Sequence, residues 1–155
     1  MRAHVTRTAR APAGRGGAST LSRRALVALF AGALVGVACS RSDTPTEPVW
    51  GKEPCAHCKM LVSDKRYAAQ VIDDEGEHRY FDDVGCMVLW MDAHKPPARS
   101  WVRDATSGVW LDARAAKYVH GARTPMDFGF EAHAADGVPL ETVRDAVLAK
   151  KRSSR

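Results

Sequence analysis

Tyr67-Ala68-Ala69-Gln70-Val71-Ile72-Asp73-Asp74-Glu75-Gly76-Glu77-His78-Arg79-Tyr80-Phe81-Asp82 is the stretch on which the fold turns. Tyr67 to Ile72 suits a pleated, half-buried surface and reads as a strand. Asp73 to Gly76 has turn chemistry, and Glu77 to Phe81 returns as the partner strand. Asp82 offers a side-chain oxygen to cap a helix beginning there, and Lys95-Pro96-Pro97 ends it. Val84, Met87, Val88 and Met91 fall at i, i+3, i+4 and i+7, a stripe that faces a core.

Downstream the same order repeats in shorter form. Ser100 to Arg103 reads as a strand, Asp104 to Gly108 as a turn, and Val109-Trp110-Leu111 as a second strand. Asp112 then caps a short helix over Ala113 to Val119, with Gly121 as terminator. The expected class is therefore α+β, with duplicated ββα (hairpin–helix) units in one small domain. Pro125 to Ala132 reads as a further strand. Pro139 opens a last helix in which Leu140, Val143 and Val147 share a face. Lys150-Lys151-Arg152 suits that helix's C-terminus, ahead of a frayed tail.

Upstream, Arg23-Arg24 precede an apolar run from Ala25 to Ala38 that stops at Cys39. That run is short for crossing roughly 30 Å of hydrocarbon but suits a signal peptide. Ala38-Cys39 resembles a bacterial lipobox, with Gly36 where leucine is usual, and Ser22-Arg23-Arg24 loosely resembles a twin-arginine signal. A plain secretory signal that leaves Cys39 unmodified is the alternative. Ser40 to Trp50, with Pro45 and Pro48, has no apolar period and reads as an extended tether. The expected organisation is a lipoprotein signal peptide over 1–38 and a lipidated tether over 39–50. A metal-binding domain over 51–150 and a disordered tail over 151–155 complete it. Such a chain belongs in the bacterial cell envelope, outside the cytoplasm and anchored to a membrane by lipid.

The leader also explains the charge. The 155 residues carry a net charge of +5, yet residues 1–38 hold six arginines and no acid. The rest keeps 17 of the 23 Lys+Arg against all 18 Asp+Glu, a net of −1. No excess of positive charge remains to recruit nucleic acid.

With Cys39 lipidated, three of the four cysteines remain, Cys55, Cys58 and Cys86. An odd number in an oxidising compartment leaves a thiol outside any intramolecular disulfide, and metal binding is one use for it. Cys55-Ala56-His57-Cys58-Lys59-Met60 collects two thiols, an imidazole and a thioether. Thiolate and thioether donors favour Cu(I) over harder divalent ions, whereas zinc seldom takes a thioether. An extended Cys58–Met60 segment would turn Sγ and Sδ to the same side. Three other readings stay open here. Met60 can simply fill a core at the start of Met60-Leu61-Val62. Cys55 and Cys58 can form a redox disulfide, making the chain a thiol–disulfide oxidoreductase. The cysteines with His57 can form a structural zinc site.

A wider set of residues bears on the choice. Cys58-Lys59-Met60, Tyr67-Ala68-Ala69-Gln70, Tyr80-Phe81-Asp82-Asp83-Val84-Gly85-Cys86-Met87 and Leu89-Trp90 together resemble the nitrous-oxide-reductase accessory lipoprotein family, NosL. Trp110-Leu111-Asp112-Ala113 and Thr124-Pro125-Met126 resemble that family's second half, so the likeness runs from about Cys55 to Ala132. The resemblance implies a periplasmic copper chaperone of duplicated ββα type. It would take Cu(I) from a copper donor and supply a copper enzyme, nitrous oxide reductase in the family's case. It implies Cys58 and Met60 as ligands and Met126 as a third; Cys55 and His57, in the same window, are further candidates by their own chemistry. Lys59 departs from the family's common glycine, and its cation would favour a Cys58 thiolate.

The remaining chemistry-bearing residues have bland readings. Met87 lies on the core stripe, and Cys86 beside it reads as either a buried thiol or a ligand. Asp82-Asp83 reads as a helix cap with a first-turn acid. His78, His94, His120 and His133 lack paired ligand spacing. With no G-x-S-x-G, phosphate loop or H-E-x-x-H, the chain is not expected to be an enzyme.

Overall fold

In the computed structural model, residues 43–154 are described. The signal peptide and Cys39 lie outside them. Six strands and two helices follow in order: β1 (Ala69–Ile72), β2 (His78–Phe81), α1 (Val84–Ala93), β3 (Arg99–Arg103), β4 (Trp110–Asp112), β5 (Lys117–His120), β6 (Phe130–His133) and α2 (Leu140–Ser153). The protein is α+β, as the hairpin and cap chemistry led us to expect.

An antiparallel sheet of order β2-β1-β3-β4 forms the floor of the domain. β1 is central and buried along its whole length, apolar or small except at Gln70. Its register sets Ala69 opposite both Phe81 and Val102. α1 covers this sheet and packs against α2. Phe81, Met87, Val71 and Val102 are fully enclosed between them. β5 and β6 make a second, two-stranded sheet, joined to the first by a bridge between Asp104 and Ala132.

Hairpin–helix order does occur twice, but the second copy is β5–β6–α2. The expected helix over Ala113–Val119 is not formed. Asp112 does accept from the Arg114 and Ala115 amides (2.9 and 3.2 Å), but the turn ends after Ala116. Tyr118 takes over: its ring is 1 % exposed and its hydroxyl donates to Ala113 O at 2.7 Å. Burying that aromatic outweighs extending a short helix, so Lys117–His120 pairs with β6. The strand expected over Pro125 to Ala132 is confined to Phe130–His133. Residues before it turn, with Asp127 and Gly129 at positive φ (56° and 79°).

The helix cap also moves by one residue. Asp83 caps α1, accepting from Gly85 N at 2.7 Å, while Asp82 accepts from Ser63 N at 3.0 Å. At the N-terminal edge, residues 46–48 form a packed strap. Gln70, wholly buried, makes two bonds with Thr46, one to its N–H and one to its carbonyl, both 3.0 Å. Glu47 accepts from Arg103 and from the Trp110 indole (2.5 and 2.9 Å), and Pro48 is buried. At the other end, α2 continues through Ser153, so residues 151–153 are helical rather than a disordered tail.

Candidate metal centre

The strap runs directly into the cysteine window. Gly51 N donates to Val62 O and Val62 N to Glu53 O, both 2.9 Å, bringing the two sides of residues 51–62 together. A tight turn closes the end of this small hairpin. Cys55 N donates to Met60 O at 2.7 Å and Lys59 N to Cys55 O at 3.0 Å. Lys59 adopts φ +68°, the left-handed conformation that glycine takes most easily. Its ammonium reaches back to Ala56 O at 2.9 Å, hydrogen-bonding within the turn. The extended Cys58–Met60 segment expected from the sequence is therefore absent, and with it the argument that alternation aims both sulfurs one way. Ala56 N, donating to Tyr80 O at 2.8 Å, fastens the turn to β2.

From the other side comes Cys86, near the N-terminus of α1. Val84, Gly85, Met87, Val88, Leu89 and Trp90 around it are all buried. The Sγ atoms of Cys55, Cys58 and Cys86 lie within 4.8 Å of one another. All three are free thiols; Cys55 and Cys86 are buried and Cys58 is half-buried. This triplet could hold a metal ion, and its three donors are all soft sulfurs.

Their electrostatics are unequal. Cys55 is pulled down to about 4 by the hydrogen bond from Cys86, against the cost of burial, with help from the backbone N–H groups of Asp82, Cys58 and His57. Cys86 is pushed far up because it donates to Cys55 and is buried. Burial also raises Cys58. At neutral pH the cluster thus carries one negative charge, centred on Cys55. Lys59 was expected to favour a Cys58 thiolate, but the charge resides on Cys55, where the Cys86 thiol donates and backbone amides assist.

The three other candidates from the sequence occupy distinct positions. Met60 lies on the surface, 50 % exposed, next to the equally exposed Leu61. Met126 is partly buried against the core, and its N–H donates to Asp83 Oδ2 at 3.1 Å. Thr124, Met126 and Phe128 all hydrogen-bond the Asp83 carboxylate, which burial pushes up. That residue ties the 124–128 loop to the helix bearing Cys86. His57 is exposed, and its imidazole is lowered by desolvation and then by Lys151 and Lys59, despite the pull of Cys55. It is therefore a neutral nitrogen donor at pH 7. A groove of about 760 Å³ opens beside Cys55 and His57, with Trp90 and His94 stacked in its wall at 4.1 Å.

Cys86 is the residue that sequence reasoning left undecided. Its only signals were the odd cysteine count and its position beside the apolar stripe of α1. Neither reveals that the turn at Cys55 folds onto this helix.

Comparison with known proteins supports the fold. The copper chaperone NosL from Shewanella denitrificans has a similar solved structure, with a TM-score of 0.53 and 11 % sequence identity. The match covers 70 % of this chain and 89 % of that one. At that identity the likeness is one of fold, and this chain has a NosL-like fold. No protein-family model and no curated protein matches the sequence.

Proposed function

We propose that this NosL-like domain is a Cu(I) metallochaperone whose cargo is held by Cys55, Cys58 and Cys86. One observation carries the reading: three sulfurs within 4.8 Å, one of them partly open to solvent. Three thiol donors suit a soft monovalent ion in low coordination. Structural zinc normally takes four ligands. Among the described residues no His, Asp or Glu joins the triplet. An arriving cation passes half-buried Cys58 and is drawn to the Cys55 thiolate, and binding displaces protons from the other two thiols. Cys58, the one of the three partly open to solvent, is the natural point of ligand exchange with a partner. Met60 and Met126 are supporting thioether ligands in this reading, and His57 a nitrogen donor at the rim.

The rest of the reading extends from the leader and from the resemblance. The protein is exported, lipid-anchored through Cys39 and held at the periplasmic face of a membrane. It receives copper from a donor and passes it to a copper enzyme, for which nitrous oxide reductase is the first candidate. Among the described residues no helix is long and apolar enough to cross a membrane.

An anaerobic Cu(I) competition titration tests the site. One ion per chain is expected, with affinity lost at least tenfold in each of Cys55→Ser, Cys58→Ser and Cys86→Ser, and less in Met60→Leu. Unchanged affinity in all three cysteine variants, or tightly held zinc in place of copper, overturns the reading.

A further inference from the structure

A disulfide uses two sulfurs, and this cluster has three, so oxidation must choose a pair. We propose that Cys55 and Cys58 form a reversible disulfide on reaction with an external organic disulfide, with Cys58 as the entry point and Cys86 left as a thiol. The oxidised protein then keeps a single sulfur at the site. Loss of copper binding as the consequence rests on the Cu(I) reading above; the thiol chemistry does not.

Access selects the first reactant. Cys55 and Cys86 are each 0 % exposed, whereas Cys58 is half-buried. Attack on an incoming disulfide needs contact between the nucleophilic sulfur and its target, so only Cys58 can begin. Its thiolate attacks one sulfur of RSSR, forming Cys58–S–S–R and releasing RS⁻. Cys55 Sγ, within 4.8 Å, then attacks the Cys58 sulfur of that mixed disulfide and releases the second RS⁻. The Cys58 proton goes to one leaving thiolate; Cys55, already ionised, brings none, and the second RS⁻ takes its proton from solvent. In sum, Cys58 and Cys55 are oxidised to one disulfide and RSSR is reduced to two RSH.

Mobility selects the second reactant. An S–S bond of about 2.05 Å requires the sulfurs to close up from their present spacing. Cys55 and Cys58 share one turn, three residues apart, whose neighbours His57, Lys59 and Met60 are exposed and have no packed core around them. Cys86 has no such freedom. It stands in α1 directly after Gly85, where even a Cβ would meet the Phe128 ring at 2.1 Å, and the Asp83 cap fixes the turn beneath it.

The sequence supplies a direct readout. Trypsin cutting after Lys52 and Lys59 releases Glu53–Lys59, which contains both Cys55 and Cys58. Cys86 falls in Tyr80–Arg99, because the bond between Lys95 and Pro96 resists cleavage. The metal-free full chain is treated with oxidised glutathione, unfolded in denaturant and blocked with iodoacetamide, and digested without reduction. We expect Glu53–Lys59 to be unalkylated and lighter by two hydrogens, with Cys86 alkylated. In Cys58→Ser, Cys55 and Cys86 should both remain alkylatable after the same exposure. A cross-link between the two peptides, a lasting glutathione adduct on Cys58, or full alkylation of all three thiols overturns the proposal. A Cu(I) titration of the reduced protein, run in parallel, separates this failure from failure of the copper reading, since either result can occur without the other.

Discussion

The two hairpin–helix units share an element order and differ in almost everything else. α1 is buried from Val84 through Trp90, whereas α2 buries only Leu140, Val143 and Val147. α1 begins on a side-chain cap from Asp83; α2 begins at Pro139 with none. The second unit is an ordinary amphipathic helix on a small sheet, with a solvated face and basic residues at its C-terminus. The first has no solvated residue before its last turn, where Asp92 and Ala93 are exposed, and the Cys55 turn and the 124–128 loop close over it. That extra burial supports the cluster, because Cys86 faces Cys55 only while both ends of the cover stay in place. Ordinary helices tolerate surface change, and this one should not.

The cap gives the largest contrast. Asp83 is 0 % exposed and its carboxylate serves Gly85 N, Met126 N, Thr124 and Phe128 N together. Asp83→Ala removes a cap and leaves several buried donors unmatched, and should cost about 3 kcal/mol in denaturant unfolding. Pro139→Ala, at the corresponding place in the second unit, should cost no more than about 0.5 kcal/mol. Equal losses at the two positions would remove the distinction drawn between the units.

Packing gives the next. A Cβ at Gly85 would sit 2.1 Å from Phe128 Cγ, 2.3 Å from Cδ2 and 2.6 Å from Cβ. The ring must move for Gly85→Ala to fold, at about 2 kcal/mol, a usual cost of overpacking. Ala146 on the exposed face of α2 offers the reverse test, since Ala146→Ser should change stability by about 0.5 kcal/mol or less. Pairing Gly85→Ala with Phe128→Ala should recover part of the loss through non-additivity. A double variant as weak as the sum of the singles would mean the ring is not the obstacle.

These particulars also show what was legible in the chain. β1, its turn and β2 were clear because period, turn residues and cap agree over one short stretch. The same signals misplaced the second helix, since Asp112 is a sound cap but Tyr118 six residues on belongs in a core. Local capping chemistry does not contain the tertiary demand that overrides it. At the site, Cys55 and Cys58 stood out by spacing alone. Cys86 did not, because 27 residues and a whole hairpin separate it from Cys58, and its proximity is created by Ala56 bonding to β2. Lys59 was misread in its effect for a related reason. A nearby cation suggested a thiolate at Cys58, yet it is Cys55 that receives the Cys86 hydrogen bond and, after it, the turn's amides, tertiary facts that spacing does not carry.

That charge assignment has a thermodynamic consequence confined to the first unit. Cys55 has its native pKa lowered from 9.0 to about 4, chiefly by the Cys86 hydrogen bond. A group held below its unfolded value contributes stability that is complete above that value and is lost as pH falls through the native one. In the metal-free, reduced protein, unfolding free energy should therefore decline as pH drops from about 9 toward 4. The slope from one such group is at most about 1.4 kcal/mol per pH unit. Cys58 and Cys86, held above their usual value, act in the opposite sense and weaken the fold as pH rises beyond the thiol range. Cys55→Ala should flatten the acid side and, by removing the acceptor that raises Cys86, soften the alkaline side as well. Denaturant midpoints measured across this range for the two proteins make the comparison. Parallel curves would place the cluster's charge somewhere other than Cys55, and the first unit would then lack the preformed anion that sets it apart from the second.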